Sequence, residues 1–393
     1  MNMRQVLFEE VEPKAWDAWV AQIPDATYLH SSMFLRFLRT LIPTQQHRSF
    51  ACLDDTERPL ALCPLAISDV SIEGQPSREA SWNGAPLGAP VFGEMPPRSK
   101  RRLQQQIFAD YHDQLAASRV IRIVVRHHPV SLRVMAGGSL ISPFEILAQG
   151  YVCQPQNTVV IELEHPESQL TGELHPSQRK HIAQTKRRGL VIRAYRGAGA
   201  ETAEAFTRYQ EAHRLAAGKP TRPLESFRLM QDLLSEEQAT LFVAWADHTP
   251  MSFLYCGEFQ GMAFGWSQAN VKAYEELYSP RHLLEWEAIL HYRQRGFRFY
   301  EVGTRWFGPQ PYYVPTRKEL SIAEFKQRFG GVFLPDLVFE RVVDRALCES
   351  LYRHRLEAFV SATFDDAADT TRSDHENASE QDPVPSCAQS AGS

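Results

Sequence analysis

Lys326 is the residue whose placement most calls for a chemical account. It lies in Ser321-Ile-Ala-Glu-Phe-Lys-Gln-Arg-Phe-Gly-Gly331. Ile322, Phe325 and Phe329 recur at i, i+3 and i+7 and share one face of a helix. At roughly 100° per residue, Lys326 falls about 40° from Ile322 and about 60° from Phe329, while Glu324, Gln327 and Arg328 point elsewhere. An ammonium on an apolar face is costly unless a carboxylate or an anionic ligand answers it. The alternative is a snorkelling side chain, stem buried and head in water. Glu301 is the second candidate. Phe297, Phe299 and Glu301 alternate onto one face of a strand. A carboxylate after two buried aromatics can act as a general base with a raised pKa, or pair with Arg305 or Lys326. Tyr312, Tyr313 and Arg317 follow in the loop before the Lys326 helix, where site residues concentrate.

A third group is the basic segment Arg179–Arg196, with Arg179, Lys180, Lys186, Arg187, Arg188, Arg193 and Arg196 and no acidic residue. It suits an anionic partner, such as a phosphorylated or nucleotide-linked acceptor, or else a solvated helix face. His213-Arg214, on a helix, is a weaker candidate, and a lone surface histidine is the simpler account of it.

The elements that must hold these residues form two similar halves. Phe50–Leu65 and Leu241–Cys256 each read as two apolar runs around a polar turn, a β-hairpin. An extended aromatic and Gly-rich stretch follows each (Ser81–Phe92 and Gly261–Gln268). Then come a helix (Pro97–Ser118 and Pro280–Arg295) and a strand (Val120–Val125 and Phe297–Val302). In the second helix Leu283, Trp286, Ile289 and Leu290 share a face, and Pro280 takes the first helical position. Helical segments precede each half, at Pro13–Ile23 and Met33–Leu41 and at Glu201–Ala217 and Leu224–Leu234. Gly189 is expected to end the basic helix as a left-handed cap. Ser321 and Glu324 have capping-box spacing and predict a helix start at Ser321. Asp336–Phe364 reads as a helical C-terminal element.

These patterns predict an α+β fold: an N-terminal domain over 1–150, a C-terminal domain over 151–340, a C-terminal helix over 341–364 and a disordered acidic tail over 365–393. A length of 393 residues with 43% hydrophobic content is enough for two or three real cores. Net charge is −5, so nothing global advertises nucleic-acid or membrane binding. MNMRQVLFEEVEPKAW has no apolar core of a signal peptide, and no run approaches the ~20 apolar residues of a membrane span, so a cytoplasmic protein is expected. The six cysteines show neither C-x-x-C nor metal spacing and read as reduced thiols, with no metal site. Asn377-Ala-Ser would be a glycosylation site only in a secreted protein.

The order of elements resembles the GNAT N-acetyltransferase fold, present twice. The pair resembles the FemAB/BioF2-like acyltransferase superfamily over roughly 25–335. SPRHLLEWEAILHYRQRGFRFYEVG is similar to that family's helix-then-strand segment, and IAEFKQRFGG to its closing F-K-x-x-F-G-G signature. SQRKHIAQTKRRGLVIRAY resembles its basic helix leading through Gly into a strand, and Tyr28-Leu-His-Ser-Ser-Met-Phe its usual early segment.

The resemblance implies transfer of an acyl group onto an amine of a sugar, peptidoglycan-type or exopolysaccharide-related acceptor, in cell-envelope biosynthesis. It implies acyl-CoA as the donor cosubstrate. An aminoacyl-tRNA donor and a catalytically silent binding module are the alternatives. Lys326 would stabilise charge at the acyl-transfer site, where a fixed cation can meet a developing oxyanion. Glu301 would share that site, with Arg179, Lys186, Arg187, Arg305, Tyr312 and Tyr313 binding substrate. Two departures stand out. Single-domain acetyl-CoA enzymes hold the pyrophosphate on a Gly-rich loop at a helix N-terminus. Here Tyr278-Ser-Pro-Arg-His and Glu94-Met-Pro-Pro-Arg carry no glycine, and Pro280 lacks an N–H. The span Leu190–Glu236 is too short for the helical arms of some tRNA-using relatives.

Overall fold

The structure, a computed structural model, describes residues 3–72, 74–139, 144–217, 222–271, 273–274 and 278–364. The expected disordered tail lies outside the described residues, as do Asn377 and Cys387. The duplicated order is present. Phe50–Leu53 and Pro59–Cys63 form one antiparallel hairpin, and Ala239–Ala246 with Thr249–Phe259 form the other. Pro97–Ala117 precedes the strand Arg122–His127, as Pro280–Gln294 precedes Phe299–Gly303.

The strands divide unequally. Arg4–Leu7, Phe50–Leu53, Pro59–Cys63 and Val91–Phe92 make a small sheet. A long mixed sheet runs through Val191–Tyr195, Ala239–Ala246, Thr249–Phe259, Met262–Asn270, Phe299–Gly303, Val152–Glu162, Val332–Val342, Arg122–His127, Gln75–Ala80, Ala66–Ile72 and Gln46–His47. It crosses from one half to the other without a break. Val332–Val342 does the joining: it pairs antiparallel with Val152–Glu162 on one side and with Arg122–His127 on the other.

Apolar side chains fill both faces. Leu283, Leu284, Trp286, Ile289 and Tyr292 of Pro280–Gln294 pack with Phe242, Leu254 and Tyr300 of the sheet. On the opposite face Tyr28, Phe34 and Phe37 of the first half meet Tyr209, Phe264 and Trp266 of the second. Trp266 lies 4.6 Å from Phe37, and Tyr28 stacks on Phe264 at 4.4 Å between ring centres. The halves therefore share a core as well as a sheet.

Two expectations need correction. The Lys326 helix runs Arg317–Gln327, one turn longer than its predicted start at Ser321. The same spacing occurs earlier in Thr316-Arg-Lys-Glu319. The Glu319 N–H donates to Thr316 Oγ1 (3.2 Å), and the Thr316 N–H to Glu319 Oε2 (2.7 Å). Pro315, just upstream, discourages a still earlier start. Residues from Asp336 to Val342, expected to be helical, lie in a strand, and the C-terminal helix is Arg345–Phe364.

The double glycine after Lys326 is a backbone requirement. Gly330 and Gly331 have φ of +87° and +93°. A Cβ on Gly331 would stand 2.7 Å from the Val160 carbonyl oxygen, so only glycine lets the chain turn into Val332–Val342.

Candidate active site

Lys326 lies in the last turn of Arg317–Gln327, and its side chain reaches the end of the strand Phe299–Gly303. Its Nζ is 3.2 Å from where a Cβ of Gly303 would be, and Gly303 has φ +110°. Glycine there leaves room for the ammonium. Burial pulls the Lys326 pKa below its ordinary value, while the charges of Glu285 and Glu301 oppose that pull. Among the described residues the ammonium makes no ion pair within 4 Å. The residue as a whole is half-buried, and the two carboxylates act on its ammonium through charge and not through contact.

Those carboxylates differ. Glu285 lies on the buried face of Pro280–Gln294 and accepts a hydrogen bond from Tyr300 Oη at 2.6 Å. Burial raises its pKa, against the opposing effects of the Tyr300 hydrogen bond and the Lys326 charge. Tyr300 is itself buried and stands 3.8 Å from Cys256 Sγ.

Glu301 was expected to have a raised pKa or to pair with Arg305 or Lys326. Its partners are others: Thr158 Oγ1 at 2.6 Å, His128 Nε2 at 2.9 Å and Arg126 Nη2 at 3.7 Å, all at Oε1. Burial alone would raise its pKa. The His128 charge and hydrogen bond, the Arg126 charge and the Thr158 hydrogen bond outweigh it and lower the pKa to about 2. Glu301 therefore has little proton affinity for a general base, and Glu285 is the carboxylate of this pair that has it.

Residues 176–313 match the family described as acetyltransferase (GNAT) domain. No curated protein matches the chain. Among solved structures it resembles FemX, at 12% identity and a TM-score of 0.60, over 90% of this chain and 100% of that one. It also resembles L-PGS from Bacillus licheniformis, at 13% identity and a TM-score of 0.52, over 88% and 96% of the two chains. A tandem GNAT protein from the clavulanic acid biosynthesis pathway aligns at 10% identity and a TM-score of 0.50, over 87% and 99%. Residues 176–313 are thus a GNAT-type segment, and the fold of the whole chain is similar to that of FemX and of tandem GNAT proteins. The match assigns it an N-acyltransferase domain, and at these identities the structural likenesses speak to fold alone.

The remaining predicted site residues are spread around the centre. Arg305 borders the Lys326 helix: Nη1 donates to the Leu320 carbonyl (3.5 Å), the guanidinium lies 5.2 Å from the Phe307 ring centre, and Nε is buried with no acceptor among the described residues. Tyr313 donates to Glu319 (2.6 Å) and packs on Trp306, while Tyr312 donates to the Pro155 carbonyl. The two tyrosines fasten the loop to the helix start and to the strand Val152–Glu162.

The basic segment does not act as one surface. Arg179 Nη1 donates to the Thr171, Gly172 and Leu174 carbonyls and so caps the helix Glu167–Glu173. Lys186 pairs with Glu287 at 2.7 Å, Arg196 pairs with Glu237 at 2.5 Å, and Arg187 is exposed. Gly189 ends the helix at φ +79°, as expected.

That helix, Pro176–Arg187, packs on the start of Pro280–Gln294. Thr185 Oγ1 donates to the Tyr278 carbonyl (2.9 Å), His282 Nδ1 is 2.6 Å from Gln178 Oε1, and His282 stacks on His181 at 4.4 Å. Burial, with the charges of His181, Arg281 and Arg328, lowers the His282 pKa to about 3, so the imidazole is neutral. The His282 N–H is committed to the Ser279 carbonyl (3.3 Å). Among the described residues, Tyr278-Ser-Pro-Arg-His offers no glycine at this helix start, and Pro280 has no N–H.

Sequence reasoning missed Glu285 and His128. Glu285 had a signal: an acidic residue between Leu284 and Trp286, on the predicted apolar side. His128 had none, because its partner is 173 residues away.

Proposed function

We propose that the chain transfers an acyl group from an activated donor to the amine of a sugar, peptidoglycan-type or exopolysaccharide-related precursor in the cytoplasm. The observation that carries this reading is the desolvated Lys326 ammonium beside Glu285 and Glu301, next to a segment that matches a GNAT acetyltransferase domain. In the proposed reaction the amine nitrogen attacks the donor carbonyl carbon and forms the C–N bond. Negative charge develops on the carbonyl oxygen, where Lys326 meets it. The C–S or C–O bond to the donor then breaks, and the leaving thiolate or alkoxide takes up a proton. Glu285, with its raised proton affinity, takes the proton lost by the amine. Positioning supplies much of the remaining acceleration, and the route needs no covalent enzyme intermediate.

Acyl-CoA is the first donor in this reading, because it is the usual donor of GNAT domains. The start of Pro280–Gln294 favours a second one. Pro280 has no N–H, Ser279 is left-handed at φ +48°, and no glycine opens the turn, so the common pyrophosphate cradle is not built there. An aminoacyl-tRNA ester, as the F-K-x-x-F-G-G resemblance allows, would not need it. Among the described residues no helix is long and apolar enough to cross a membrane. Nor does any group of three or more His, Cys, Asp or Glu stand where it could hold a metal ion.

The test is a panel of acyl-CoAs and charged tRNAs, read first as a rise in melting temperature and then as mass added to amine acceptors. One donor class should stabilise the fold and support transfer. A protein that is stabilised by no donor and adds no mass would instead be a silent ligand-binding module.

A further inference from the structure

The C-terminal helix Arg345–Phe364 meets the rest of the molecule along one side. Leu351 is buried, Phe359 and Ala362 are half-buried, and Arg355 makes a bidentate pair with the buried Glu340, at 2.6 and 2.9 Å. These anchors fix the rotation of the helix. Leu356, Val360 and Phe364 then stand about 140–180° around the helix from Leu351, as an i, i+4, i+8 row. They are 56%, 44% and 67% exposed, so a continuous apolar row faces water. Two opposite charges flank the row on one side. Arg353 and Glu357 lie one turn apart, and neither makes an ion pair within 4 Å among the described residues. When two helices pack antiparallel about a two-fold axis, the same flank of each meets the other in reverse order. An axis level with Arg355 sets Arg353 of each copy against Glu357 of the other, and it brings Leu356 onto its own copy beside the axis. Residues 365–393, which follow directly, are poorly suited to cover the row. They hold seven Asp or Glu and one Arg, and their only apolar residues besides Ala and Pro are Val384 and Cys387. That acidic stretch, with Glu349 and Glu357, also disfavours an anionic lipid surface. The antiparallel order sends the two helix C-termini, each followed by acidic sequence, to opposite ends.

We propose that this row is a self-association surface: two copies of the chain pack antiparallel through Leu356, Val360 and Phe364, with Arg353 and Glu357 fixing the register. One helix face is smaller than the ~800 Å² per partner of a standard interface, so the dimer is weak and reversible. It stands apart from the acyl-transfer reading, and its test needs no substrate.

The test is sedimentation equilibrium of the full chain over about 1–300 µM, where a small interface is expected to associate. The weight-average mass should rise from that of one chain toward that of two. Leu356→Glu changes an exposed side chain, so it should keep the wild-type melting temperature and stay monomeric at every concentration. Arg353→Glu and Glu357→Arg each set like charges together at both contacts and should weaken association by about fivefold or more. An equimolar mixture of these two single variants should associate as the wild type does, because each copy then presents the charge that the other lacks. The double variant Arg353→Glu/Glu357→Arg should do the same. A wild-type chain that stays monomeric across the range overturns the proposal, and so does a dimer that survives Leu356→Glu. A dimer that is lost in Leu356→Glu but not restored in the mixture overturns the antiparallel register. Flotation with phosphatidylglycerol vesicles is the remaining arm. Binding by the wild type and not by Leu356→Glu, without a dimer, would assign the row to a lipid surface and overturn the proposal too.

Discussion

Replacing Lys326 by Met keeps the length of the side chain and removes its charge. The ammonium is desolvated and has no ion pair within 4 Å among the described residues, so its field is not spent on a direct partner. Two unit charges 4 Å apart interact by about 4 kcal/mol at an effective dielectric of 20. Removing one oxyanion-stabilising donor from an enzyme costs about 10²–10³ in kcat, or ~3–4 kcal/mol. Lys326→Met is therefore expected to lose about 10³ in kcat with KM within a few-fold of wild type, because the interaction exists mainly in the transition state. Stability should respond with a definite sign. Lys326 has a lowered pKa in the folded state, so the unfolded chain binds more protons between that lowered value and 10.5, and wild-type stability rises with pH across this window. The Met variant lacks that rise. It also leaves Glu285 without its cation, so the Glu285 pKa climbs further and stability falls with pH above the ordinary carboxyl value of 4.5. The assay is initial rate against acceptor concentration with the stabilising donor, beside melting curves from pH 5 to 9. Turnover within threefold of wild type, or a raised KM at unchanged kcat, would refute the oxyanion role. Glu285→Gln provides a contrast: it should cost about 10² in kcat and remove the acidic limb of the pH–rate profile.

The remaining expectations concern the frame around this centre. Gly331→Ala places a Cβ 2.7 Å from the Val160 carbonyl oxygen at φ +93°, and it should lower stability by about 1–3 kcal/mol, read as a reduced urea midpoint. Glu340 is fully buried and accepts from Arg122 (2.6 Å), Arg355 (2.6 and 2.9 Å) and Gln154 (2.9 Å). Glu340→Ala leaves two guanidinium groups without that partner and should cost about 3–5 kcal/mol, whereas a loss below 1 kcal/mol would mean the network contributes little. Glu301, lowered from 4.5 to about 2, contributes stability that is fully present above pH 4.5 and lost as the pH falls toward 2, up to ~3 kcal/mol. Glu301→Gln should flatten that part of the acid-unfolding curve, and an unchanged curve would show that the carboxylate is not held ionised.

How much of this was legible in the sequence depended on range. Elements with strong local patterns were read correctly: the hairpins, the Trp286 face of Pro280–Gln294 and the Gly189 cap each depend on residues a few positions apart. Lys326 was legible for the same reason, since its angle to Ile322 and Phe329 is a local quantity. The start of its helix was misplaced because Thr316 and Glu319 offer the same capping chemistry one turn earlier, and spacing alone does not rank two boxes. The strand Val332–Val342 was partly misread because its pattern comes from pairing on both sides, with Asp336 and Glu340 buried as ion partners of Arg126 and Arg122. Charges at alternate strand positions look like a polar helix until the partners are known. Arg179 appeared free in sequence, yet it serves three carbonyls at the end of the neighbouring helix.

The same long-range pairings explain why the two halves are unequal. Val332–Val342 leaves the Gly330-Gly331 turn beside Val160 and then lies along Arg122–His127. The backbone turn that follows Lys326 thus also fixes the register between the halves. Arg126 of that register holds Asp336, and His128, two residues further along, meets Glu301. Slipping the pairing by one residue would turn Asp336 away from Arg126, leaving both buried charges unpaired, and would also displace His128 from Glu301. A single pairing therefore sets the junction between the halves and the surroundings of Glu301 together. The hydrogen bond between His128 and Glu301, made across the two halves, is a further consequence of that same pairing.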